Sequence, residues 1–216
     1  MTGGAVPRSG GRPTAAAATL LEDVILDHAT AAFLRQGYAA TSIEAIARQA
    51  RVAKRTIYAR WQNKAALFLA VLRRLVSGWL SSANTWQEAD GLEAALNAAA
   101  QSILTIGLTP EAIALHRLVI AESGRFPQLK AIMDQAGVQE GVRRIAALLD
   151  QAIIAGKLPP IDTAFAAEQF QHLVLAGPQR RALGLGVELD AAERDAWGKA
   201  AVRLFLSGCF WRSQPA

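Results

Sequence analysis

An all-α fold is expected for this chain, on three observations. Of its 216 residues 52% are hydrophobic, with Ala and Leu dominant, and both are strong helix formers. No stretch alternates apolar and polar residues over the length of a strand. Apolar residues recur instead at spacings of three and four, punctuated by capping residues, Gly and Pro. About nine helices are expected. So apolar a composition can form a sizeable core and is not that of a disordered chain.

The charge is unevenly spread, and this suggests two parts. Residues 1–75 hold eleven bases against four acids, a net +7, while the remainder carries −2. A basic third on a near-neutral body suggests a polyanion-binding module on a carrier domain. One cysteine, Cys209, leaves neither an intramolecular disulfide nor a thiolate zinc cluster. The three histidines, His28, His116 and His172, are far apart. No catalytic set, metal site or cofactor is therefore expected, and not an enzyme. No signal peptide is visible, and the most apolar long window, Ile103 to Ala121, contains Pro110, Glu111, His116 and Arg117. A cytoplasmic protein with no membrane partner is expected.

Residues 1–14 are rich in Gly and Pro, carry Arg8 and Arg12, and read as a flexible basic arm. A first helix spans about residues 16–36, started by Thr19 with Glu22 and ended at Gly37. Its apolar face holds Leu21, Val24, Ile25, Ala29, Ala32 and Phe33, with His28 packed at the edge. Thr41-Ser42-Ile43-Glu44 is a capping box, with Thr41 as N-cap and Glu44 at the third helical position. Ile43, Ile46, Ala47 and Ala50 face inward on the short helix that follows. Arg51-Val52-Ala53 breaks it. A third helix then runs from Lys54 to Trp61, with Ile57 and Trp61 inward. That leaves Lys54, Arg55, Tyr58 and Arg60 available to a partner. Asn63 caps a fourth helix that buries Leu67, Phe68, Val71, Leu72 and Leu75.

Short helix, three-residue turn, short helix is the spacing of a helix-turn-helix. The run Ile46-Ala47, Ala50, Val52, Lys54, Thr56-Ile57-Tyr58, Trp61, Lys64 and Leu67 resembles the DNA-binding signature of TetR-family transcriptional regulators. With the first helix and Gly37-Tyr38, the likeness covers residues 16–72. Residues 116–137 are similar to the C-terminal domain of an AefR-like branch of that family. Two positions depart from the family pattern: Arg51 stands where Gly is usual, and Ala53 where Ser is usual. A left-handed backbone at Arg51 costs about 1 kcal/mol, and a lost Ser cap about the same.

The site roles follow from chemistry. Lys54, Arg55 and Thr56 open the recognition helix, the end that enters a major groove. Arg55 suits a guanine edge, and the Thr56 methyl or hydroxyl suits a base. Tyr58 and Lys64 suit phosphates, as do Thr41 and Ser42 at a helix N-terminus. Arg51 could offset its backbone cost at a phosphate.

The later elements are a helix over about 91–106, another opened by Pro110 and running to about Ser123, and a long one from Phe126-Pro127 to Ala155-Gly156. A further helix opens at Asp162 or Thr163, and the last runs from about Asp190 to Phe210. Leu173 and the stripe Ala201, Leu204, Phe205, Gly208 suit either a core or, by the resemblance, a homodimer interface. The resemblance also implies a cavity for a small hydrophobic or aromatic effector. Its candidate lining is Trp79, Trp86, His116, Phe126, Met133, Phe165, Gln169 and Phe170. The expected domains are the arm, a reader over 15–62, a connecting helix over 63–75 and a ligand-binding and dimerisation domain over 76–216. The expected function is a repressor on palindromic double-stranded operator DNA, released by its effector. A membrane-surface or protein-interaction module using the basic end would explain the charge, but it would leave the helix-turn-helix spacing to chance.

Overall fold

The structure is a computed structural model that describes residues 15–82, 91–124, 127, 131 and 139–209. The described residues form nine α-helices and no strand. These are α1 (Ala15–Ala40), α2 (Ile43–Gln49), α3 (Lys54–Tyr58), α4 (Lys64–Ser82) and α5 (Leu92–Gly107). They continue with α6 (Pro110–Ser123), α7 (Glu140–Ile154), α8 (Thr163–Ala182) and α9 (Ala191–Cys209). No single helix among them is long and apolar enough to cross a membrane. The arm expected over residues 1–14 lies outside the described residues.

Helix α1 breaks at Gly37, whose φ of 82° and ψ of 167° are outside the helical region. A side chain there would be strained by the backbone and would press on the carboxyl of Glu122, 3.3 Å from its Cβ. The chain therefore turns where the sequence places a C-cap. Ile25, Leu26, Ala29, Ala32 and Phe33 are buried on the inner face of α1. Val24, expected on that face, is exposed, and Leu26 takes the inward position.

The first core joins α1 to α2, α3 and α4. Phe33, Ile46, Ile57, Leu67 and Phe68 are fully buried in it. Phe33 meets Phe68 edge-on at 4.9 Å between ring centroids, and Tyr38 lies 5.1 Å from Phe68. Such pairs are worth about 0.5–1.5 kcal/mol each beyond burial. Leu115 and Leu118 of α6 also belong to this core. A helix far along the chain thus closes the side of the N-terminal bundle.

The second core lies among α5, α7, α8 and α9. Leu96, Leu104, Ile145, Leu149, Phe170, Val174 and Val202 have almost no exposed surface there. Helices α8 and α9 run antiparallel, because Phe170 pairs with Phe205 (5.0 Å) while Gly177 touches Trp197. Pro178 sits inside α8 and has no N–H to give the Val174 carbonyl one turn back. The Trp197 Nε1 donates to that carbonyl instead, at 2.9 Å. Gly177 gives the indole room, for a Cβ there would come within 2.6 Å of the ring. Pro and Gly in mid-helix thus form a socket that locks the two helices together.

The stripe expected to act together on α9 divides. Ala201 and Phe205 are buried in the second core, whereas Leu204 is 63% exposed and Gly208 faces solvent. Leu173 is half-buried against the second core.

Candidate nucleic-acid interface

The reader is made of α2, a tight turn and α3, set on the first core by Ile43, Ile46, Ala47, Ile57 and Trp61, all buried. The cap of α2 differs from expectation. Ser42, not Thr41, is the N-cap, and its Oγ accepts from the Ala45 N–H at 3.1 Å. Thr41 points inward and is 2% exposed; its hydroxyl donates to the Gly37 carbonyl at 2.7 Å. It closes the end of α1, with its side chain turned to the core. The capping box fails because Thr41 has a stronger claim on it: a free carbonyl left by the break at Gly37. The Glu44 partner is taken too, since it pairs with Lys54.

The turn does carry the left-handed backbone whose cost was weighed above. Arg51 has a φ of 54°, in the left-handed region. The Val52 N–H bonds the Ala47 carbonyl at 2.9 Å and draws the chain back under α2. Ala53 is the N-cap of α3 and offers no side-chain acceptor. Helix α3 is shorter than expected, ending at Tyr58. Trp61 reaches the core from the following turn, with its N–H on the Ile57 carbonyl at 2.9 Å.

The nine residues expected to touch DNA fall into three groups. Ser42, Arg51, Arg55 and Tyr58 are exposed on the reader, and Thr56 is half-buried beside them. Lys54 is exposed but occupied: its ammonium pairs with Glu44 and lies 5.5 Å from the centroid of the Tyr58 ring. The hydrogen bond from Lys54 holds the Glu44 carboxyl below its ordinary pKa and raises that of Lys54. Arg60, Lys64 and Thr41 are held by the fold. Arg60 pairs with Glu22 and donates to the Ala18 carbonyl at 2.8 Å. The Lys64 ammonium donates to the carbonyls of Tyr38 (2.9 Å), Ala39 (3.2 Å) and Thr41 (3.0 Å), and lies 4.6 Å from the centroid of the Tyr38 ring. It neutralises carbonyls freed at the end of α1.

Arg48 is a cation the sequence reading passed over. It is exposed on α2, and among the described residues it, Arg51 and Arg55 lack the carboxylate partner that holds Lys54 and Arg60. The signal was available: Arg48 lies one turn after Glu44, on the face opposite Ile46. An exposed trio of guanidiniums beside a short helix on a rigid apolar support suits the polyanionic edge of a duplex.

Among the described residues, the candidate effector residues His116, Phe165, Gln169 and Phe170 lie in different surroundings. Phe165 and Gln169 are exposed on the outer face of α8, and Phe170 is closed into the core against Phe205. Their spacing explains the split, since 165 and 169 lie one turn apart and 170 turns inward. His116 is half-buried on α6. The Trp79 side chain, Trp86, Phe126 and Met133 lie outside the described residues. A recess of about 40 Å³ lined by Leu108, Pro178, Ala182, Glu188, Leu189 and Arg194 is present at the far end of α8. It contains none of the expected residues and is far smaller than the roughly 300–1,000 Å³ of a small-molecule pocket.

A helix-turn-helix with exposed cations, carried on a larger helical body, defines a DNA-binding regulator. Comparison with known proteins gives the family. Residues 25–71 match the family described as bacterial regulatory proteins, tetR family, and residues 94–208 match the AefR-like transcriptional repressor, C-terminal domain. The chain belongs to the TetR family of transcriptional regulators, a regulatory and DNA-binding family. It is 29% identical over 181 residues to the HTH-type transcriptional regulator RutR of Escherichia coli K12, covering 81% of this chain and 77% of RutR. Among solved structures it resembles the flavonoid-responsive regulator FrrA, with 30% identity, a TM-score of 0.72, and coverage of 90% of this chain and 100% of FrrA. It also resembles a TetR family transcriptional regulator from Pseudomonas syringae pv. tomato DC3000, with 25% identity, a TM-score of 0.68, and coverage of 86% and 94%.

Proposed function

We propose that the chain is a dimeric, cytoplasmic repressor that binds a palindromic operator and leaves it when a small aromatic effector binds. The observation that carries this is the trio Arg48, Arg51 and Arg55 on a helix-turn-helix whose supporting residues are buried. Arg55, Thr56 and Lys54 read base edges from the N-terminus of α3. Ser42, Arg48, Arg51 and Tyr58 fix register on phosphates. Lys64, Arg60 and Thr41 hold the reader in shape without touching DNA.

The second copy of the chain sits on the outer faces of α8 and α9. Phe165, Gln169, His172 and Ala176 form one exposed stripe at helical spacing, and Ala200, Leu204, Ser207 and Gly208 form the other. An isologous dimer covers both and sets two recognition helices about 34–36 Å apart. The body over residues 76–216 takes the effector. FrrA is flavonoid-responsive, so a planar polyphenol is the first class to try, with His116, Trp79, Trp86, Phe126 and Met133 as candidate contacts.

The test is selection of bound sites from a random duplex library with the full chain. A two-fold symmetric enriched site, steep salt dependence and release by a member of a flavonoid panel are expected. Arg55→Ala should then relax preference at one base pair of each half-site. Absence of any enriched sequence at low or moderate salt would refute the DNA-reading assignment. An enriched site insensitive to the whole panel would refute the effector class alone.

A further inference from the structure

Helix α6 contributes Leu115 and Leu118 to the reader's core, and one turn further along it carries Glu122. Glu122 is only 8% exposed. Its Oε1 accepts the Ala39 N–H at 3.3 Å, in the short segment between the break in α1 and the cap of α2. Its Oε2 is buried and, among the described residues, has no hydrogen-bond partner. A buried carboxyl with an oxygen left over is costly, and apolar packing alone would not call for one.

The same residue is held from the other side. The Ala39 carbonyl accepts from the Lys64 ammonium of α4 at 3.2 Å. One residue thus has its N–H bonded to α6 and its C=O bonded to α4. The chain goes on through Thr41, also bonded to Lys64 at 3.0 Å, to the Ser42 cap of the reader. Gly37 makes the approach possible, since its missing side chain leaves the space into which the Glu122 carboxyl comes.

We propose that Glu122 is a positioning residue for DNA reading, acting with Lys64 as a clamp on Ala39 that ties the lead into α2 to the body through α6. Displacing α6 against α4 pulls the two jaws apart and tilts the cap of α2. This role for Glu122 rests on the DNA-reading assignment above. Leu115 and Leu118 dock the helix, and Glu122 gives the docking a direction.

The full chain tests this with Glu122→Met, Glu122→Gln, Lys64→Met and the Glu122→Met/Lys64→Met pair. Exchange of the Ala39 amide is followed by NMR, and binding to the selected operator and to random duplex by titration. Glu122→Met keeps the bulk and removes the acceptor. It should lose Ala39 protection and weaken operator binding roughly fivefold while leaving random-duplex binding within about twofold. Glu122→Gln keeps an acceptor oxygen and should retain both properties. The double variant should bind no more than about twofold worse than the weaker single, since either jaw alone holds nothing. Wild-type-like affinity and protection in Glu122→Met, a Gln variant as weak as Met, or losses that multiply in the pair would each overturn the clamp. If Glu122→Met does not fold, an Ala39 amide that exchanges in the wild type like that of a free peptide is the overturning result, and protection in wild type and Glu122→Gln the supporting one. Failure to select an operator strikes at the DNA-reading assignment, whereas the Ala39 exchange reads the clamp without DNA.

Discussion

Arg51 has a left-handed backbone and an exposed guanidinium, two properties that pull in opposite directions. Glycine would relieve the backbone by about 1 kcal/mol. Arg51→Gly should therefore raise the unfolding midpoint and at the same time lower duplex affinity, with the salt slope shallower by about one ion. Two independent measurements, denaturation and a salt titration, must move in opposite senses. If affinity is unchanged, Arg51 is merely tolerated at the turn. Glu44 offers the reverse case. Its carboxyl occupies Lys54 and is held below its ordinary pKa of 4.5 by that hydrogen bond. A depressed carboxyl contributes stability above 4.5 and loses it as pH falls through its lower folded value, so the pair is intact at neutral pH. Glu44→Gln should release Lys54 and remove a negative charge from the reader, raising duplex affinity several-fold at neutral pH. An unchanged titration would mean that Lys54 leaves Glu44 for DNA at no cost.

Elements fare differently according to how local their causes are. The reader's two helices were legible in the sequence because spacing, the turn at Arg51 and the inward Ile46, Ile57 and Trp61 are all local. So was Pro110 at the start of α6; the structure adds the Thr109 cap ahead of it, whose Oγ1 accepts from the Ala112 N–H at 3.2 Å. What each surface side chain does was not legible where its partner is distant. Lys64 finds carbonyls more than twenty residues away, and Arg60 finds Glu22 on another helix. Periodicity names a face and cannot say which carboxylate or carbonyl is waiting there. The Gly177-Pro178 pair is a second instance, since its role as a socket depends on Trp197 of another helix. Trp197→Phe should leave the Val174 carbonyl without its donor and cost about 1–3 kcal/mol in chemical denaturation. A loss no larger than that of an exposed aromatic would remove the socket from the account.

The described residues form two cores, and some large apolar side chains remain outside both. Phe165 and Leu204 are each more than half exposed on the antiparallel pair α8 and α9. The two-fold dimer proposed above would cover both. Leu204→Glu should yield a folded monomer by sedimentation, and operator affinity should fall far more than affinity for a single half-site. An unaltered dimer would move the interface elsewhere on the body.

Leu115 and Leu118 have a practical consequence for anyone who treats this chain as two exchangeable parts. Both belong to the bundle of α1 to α4, although more than thirty residues of chain separate them from Leu75. A cut after residue 75 removes part of the wall that keeps the reader dry. A reader expressed to that boundary should be less cooperative on heating than the full chain and should bind an apolar dye. A chimera that grafts it onto a relative's body should succeed only when α6 travels with it. The core beneath the helix-turn-helix is thus discontinuous in sequence, and its last piece lies on α6.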